Sequence, residues 1–76
     1  MNDYGVILVH TTSAALRAEK VLKQAGLTVK LIPTPREFSS DCGMAVRFDW
    51  TQADLVQDAL ATAGVEMAGV HRMAQS

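Results

Sequence analysis

Apolar positions along the chain switch between a period of two and a period near four. Residues 4–10 (YGVILVH) form a short β-branched run, which predicts a strand buried on both faces. Ala14, Ala18, Val21, Leu22 and Ala25 then recur at helical spacing, with Arg17, Glu19, Lys20 and Lys23 on the polar side. Thr11, Thr12 and Ser13 offer N-caps for this helix, and Gly26 is a natural residue just past its end. Residues 27–32 alternate, Leu27, Val29 and Leu31 against Thr28, Lys30 and Ile32, predicting a second strand that stops at Pro33. Met44, Val46 and Phe48 alternate with Ala45, Arg47 and Asp49 as a third strand. Thr51 is the expected N-cap of a second helix, with Asp54 at the capping-box position and Trp50 stapled onto Leu55. Leu55, Val56, Ala59, Leu60 and Ala63 form its buried stripe, and Gly64 ends it. A weaker strand is expected over residues 65–70, with a frayed tail from Arg72.

The order is strand, helix, strand, strand, helix, strand. The halves echo each other, since KVLKQAGLTVKL and DALATAGVEMAG share the leucine, the alanine-glycine pair and the start of a strand. Two split βαβ units of this kind predict one α+β domain over residues 1–76 with the ferredoxin-like βαββαβ arrangement: a four-stranded antiparallel sheet with both helices on one face. Right-handed crossovers place the first and third strands at the centre. Val6, Leu22, Val46 and Leu60 are expected in the core. Ile7, Val9, Ile32 and Ala45 are expected on the open face, as an apolar patch suited to a homodimer.

Composition narrows the function classes. The 76 residues are 49% hydrophobic with a formal net charge of −1, and they include a single cysteine. No basic block points to nucleic acid, and the third strand lacks the paired aromatics of a sheet that stacks RNA bases. One cysteine excludes an internal disulfide, and the absence of Cys-x-x-Cys argues against metal transfer; no metal or cofactor is expected. The apolar run over residues 6–9 is too short for a signal-peptide core or a membrane span, so a cytoplasmic protein is expected.

The chemistry gathers in residues 33–43, PTPREFSSDCG. Pro33 and Pro35 hold the backbone extended, and Ser39, Ser40 and Asp41 favour turns. Gly43 permits a positive φ or a close backbone approach beside Cys42. In the expected topology His10, the helix start at Thr12 and Ser13, and this loop converge at one end of the sheet. Cys42 shares parity with Met44, Val46 and Phe48, so its sulfur is expected to lean toward the first helix. That helix has no carboxylate in its first turn, and a bare helix N-terminus with a nearby arginine, here Arg36, favours a thiolate. Each residue also has a plain structural reading. A lone cysteine is often a buried and inert one. His10 reads equally as a strand-end residue or a base. Arg36 reads equally as a donor to loop carbonyls.

With this loop and element order, the chain resembles the selenium/sulfur carrier-like family of small bacterial proteins. The resemblance rests on HTTSAALRAEKVLKQAG and above all on PTPREFSSDCG running into a strand, and covers about the first two thirds of the chain. It implies a carrier, not a turnover enzyme, in which Cys42 holds sulfur or selenium as a persulfide-type adduct. Pro33, Pro35, Arg36, Ser39 and Gly43 would shape the site. It also implies a sulfur or selenium donor protein and an acceptor protein as partners. The pattern differs from sulfur carriers whose cysteine is followed by proline, because Gly43 follows Cys42 here. The rival class is a non-catalytic binding or assembly module built on the open face.

Overall fold

The computed structural model describes residues 3–38 and 42–74; Ser39, Ser40 and Asp41 lie outside the described residues. Its elements are β1 (Tyr4–Leu8), α1 (Thr12–Gln24), β2 (Val29–Pro33), β3 (Met44–Asp49), a 3-10 turn (Trp50–Gln52), α2 (Ala53–Ala63) and β4 (Gly69–Met73). The strands form one antiparallel sheet in the order β2-β3-β1-β4, with both helices on one face. This is the ferredoxin-like arrangement expected from the two periodicities, with β1 and β3 central.

The internal echo has a physical basis. Both helices end in the same hydrogen-bonded motif around a glycine of positive φ, Gly26 at 83° and Gly64 at 73°. Leu27 N donates to Leu22 O at 3.0 Å and Gly26 N to Lys23 O at 3.0 Å. Val65 N donates to Leu60 O at 2.9 Å and Gly64 N to Ala61 O at 3.1 Å in the second half. This closure satisfies the last helical carbonyls and turns Leu27 and Val65 back onto the core. It also explains why β2 and β4 begin later than the alternation suggests. Leu27 and Val65 are spent on the caps, so pairing starts at Val29 and Gly69. Arg72 is not frayed: it lies in β4 opposite Gly5, and its Nε donates to Asp3 Oδ2 at 2.7 Å.

The start of the second helical segment differs from expectation. Asp49, not Thr51, is the cap, its Oδ1 accepting from Thr51 N at 3.0 Å and from Thr51 Oγ1 at 2.8 Å. These two bonds favour the ionised carboxylate and hold its pKa below the ordinary value. The associated stability is present above the unfolded-state pKa and lost as pH falls through the lower folded value. Because the 3-10 turn comes first, the phase of α2 shifts. Ala53, Val56 and Leu60 are buried, Leu55 is 60% exposed, and Trp50 packs near Phe48 with ring centroids 6.0 Å apart. In α1 the fully buried residues are Ala15, Ala18 and Leu22, while Ala14 and Val21 are half-buried and Ala25 is exposed at the cap. Arg17 crosses to α2 and donates to Ala63 O at 2.8 Å, so a cation sits at a helix C-terminus that has no basic residue in its own last turn.

The register corrects the expected faces of β1. Ile7 lies opposite Val46 and Gly5 opposite Phe48, so Ile7 and Val9 belong to the core beneath the helices. Val6, Leu8 and Ala45 form a separate buried cluster on the other face. That second face is partly covered within one chain. Phe38, from the loop after β2, reaches this cluster together with Tyr4, Ile32 and Met73, and stacks on His71 of β4 at 4.2 Å between ring centroids. The guanidinium of Arg47 lies 3.9 Å from the centre of the Tyr4 ring. Of the patch expected to suit a homodimer, Ile7 and Val9 lie on the helix face, while Ile32 and Ala45 lie on this one beside the partly buried Tyr4, Phe38 and Met73. The large apolar residues left exposed among the described ones are single leucines on the helices, Leu16 and Leu55.

Candidate functional site

The described residues between β2 and β3 include one on each face of the sheet. Phe38 lies on the open face, and Cys42 on the helix face. The neck of this loop is closed by Thr34, whose N donates to Gly43 O at 3.0 Å and whose Oγ1 donates to Cys42 O at 2.8 Å. A turn follows Pro35, with Phe38 N donating to Pro35 O at 3.1 Å. Pro33 pairs with Met44 as the last residue of β2.

Cys42 is a free thiol, 4% exposed, in the cluster that includes Ile7, Val9, Ala15 and Val46. Its Sγ lies 3.8 Å from Thr12 Oγ1 and accepts from Met44 N at 3.4 Å. The sulfur thus sits at the first turn of α1, as its strand parity suggests. Thr11 caps that turn by accepting from Ala14 N, and the turn carries no acid. A thiolate there would face two donors, the Thr12 hydroxyl and the Met44 amide, within the positive end of the helix dipole.

The other expected site residues are less closely gathered. Ser13 is exposed on the first turn of α1, beside a small hollow shared with Arg17 and Glu66. His10 is exposed, and its Nε2 lies 3.8 Å from Glu66 Oε1. Arg36 is exposed in the turn, and among the described residues it makes no hydrogen bond or ion pair. Gly43 has no positive φ, and a Cβ there would meet open space, so the fold itself does not require glycine at this position. Ser39 falls outside the described residues. Thr34, Phe38 and His71 were not among the expected site residues. The signals for the first two were present in the sequence: a hydroxyl held between two prolines at a strand end, and a lone aromatic in a polar loop.

Thr34→Val keeps the side-chain shape and removes the hydroxyl. It is expected to change global stability by no more than about 1.5 kcal/mol. Alkylation of Cys42 in the native protein should become faster, because one of the two bonds at the loop neck is lost. An unchanged rate would show that Thr34 does not hold the thiol in place.

Among the described residues no group of three or more His, Cys, Asp or Glu side chains is placed to hold a metal ion. No described helix is long and apolar enough to cross a membrane. No curated protein and no solved structure matches the chain significantly. A family model does match, over residues 4–72, which takes in the second helix and most of β4 as well as the cysteine loop. The chain therefore belongs to the family described as "Putative Se/S carrier protein-like".

Proposed function

We propose that this protein carries sulfur or selenium on Cys42 as a persulfide-type adduct, between a donor protein and an acceptor protein. The observation that carries the reading is the placement of the chain's single thiol against Thr12 and the Met44 amide at an acid-free helix start. The family's description supports the cargo. In the loading step the Cys42 thiolate attacks the outer sulfur of the donor's persulfide. A new S–S bond forms at Cys42, the donor's S–S bond breaks, and the donor leaves as a thiolate. No oxidant or reductant is needed. Delivery to the acceptor repeats the exchange in the other direction.

Burial of the sulfur imposes a condition on this chemistry. The neck bonds of Thr34 and the contacts of Cys42 must open locally before a donor can reach Sγ. Arg36 is exposed in the turn, and in this reading it meets the partner's surface. A lone thiol persists in a reducing compartment, and we place the exchange in the cytoplasm. Incubation with inorganic polysulfide, followed by intact-mass analysis, should show one added sulfur that reducing agent removes. Cys42→Ser should show none. Absence of the adduct on the folded wild-type protein would contradict the proposal.

A further inference from the structure

The end of the sheet away from Cys42 carries an open cleft of about 750 Å³ that the thiol chemistry does not use. Tyr4, Lys30, Arg47, Asp49 and Gln52 are among its walls. Lys30 and Arg47 stand directly opposite each other on β2 and β3. Like charges in that relation destabilise a sheet. Two carboxylates, Asp3 and Asp49, also line the cleft, and their close partners are other groups. Asp3 is bound to Arg72 at 2.7 Å, and Asp49 accepts both Thr51 donors at 3.0 and 2.8 Å. Among the described residues neither Lys30 nor Arg47 forms an ion pair with an acid. The Tyr4 ring, 3.9 Å from the Arg47 guanidinium, braces that group, whose N–H groups donate no hydrogen bond among the described residues.

We propose that this cleft binds a small molecule through an oxyanion head, held between Lys30 and Arg47. Two cations kept side by side at a sheet position where they repel become favourable once an anion lies between them. A guanidinium also presents paired donors that match a carboxylate or phosphoryl group. The cleft is larger than one such head and leaves room for an organic body. A phosphomonoester and a carboxylic acid share the recognised chemistry.

Thermal unfolding in phosphate and in acetate, each against chloride at matched ionic strength, tests this. A ligand of the native state raises the unfolding temperature saturably. Wild type should show such a rise with at least one of the two anions. Phosphate alone would indicate a phosphoryl head, and acetate alone a carboxylate head. The Lys30→Gln/Arg47→Gln double variant should lose the saturable part and keep only general salt stabilisation, which does not saturate. Lys30→Glu replaces the repulsion with an opposite-charge pair. It should unfold at a higher temperature than wild type in chloride and lack the saturable anion response that wild type shows. The proposal is overturned if neither anion exceeds chloride in wild type, or if the saturable response persists in the double glutamine variant.

Discussion

Phe48→Ala is expected to lower the unfolding free energy by about 3–5 kcal/mol. Phe48 is among the largest fully buried side chains and lies opposite Gly5 in the central strand pair. Its ring occupies the space that a Cβ on Gly5 would need. Gly5→Ala must therefore push the ring out of place, at a cost of about 1–3 kcal/mol or more. The two positions share one volume, so their effects should couple. Gly5→Ala combined with Phe48→Leu should lose clearly less stability than the sum of the single changes. Urea denaturation at constant m-value measures all of these. Strictly additive losses would show that Gly5 and Phe48 do not compete for the same space.

The Gly5–Phe48 pair also marks the limit of what the sequence reveals. The alternation of Met44, Val46 and Phe48 identified the helix-facing side of β3. The continuous apolar run in β1 carries no parity of its own, because residues on both of its faces are buried. Only the pairing register shows that Ile7 and Val9 face the helices and Val6 the other side. Glycine spacing marked both helix ends. The cap geometry that delays β2 and β4 depends on hydrogen bonds to Leu22 and Leu60, which alternation does not display. At the site, the Cys42–Thr12 proximity was legible from topology and parity. The Thr34 clasp and the Phe38–His71 stack were not, since each joins residues that no periodicity relates. The loop after β2 adds Phe38 to the apolar face opposite the helices.

The largest functional effect expected concerns how Cys42 is reached. Cys42 is 4% exposed, so a donor has little access to it in the resting fold. A core cysteine becomes accessible only when the whole domain unfolds, whereas a carrier thiol must open by a smaller local motion. Phe48→Ala separates the two cases. If access needed global unfolding, a loss of 3–5 kcal/mol would speed alkylation by roughly a hundred- to several-thousand-fold. Local opening of the loop leaves the rate nearly unchanged, because Cys42 lies just before the start of β3 and Phe48 near its end.

The most direct test of the carrier reading is the alkylation rate of Cys42 measured at low urea concentrations, well below the unfolding transition. We expect a rate almost independent of urea and much faster than the unfolded fraction allows, in wild type and Phe48→Ala alike. A rate that climbs with urea along the slope of global unfolding would contradict the account and make Cys42 a structural residue of the core.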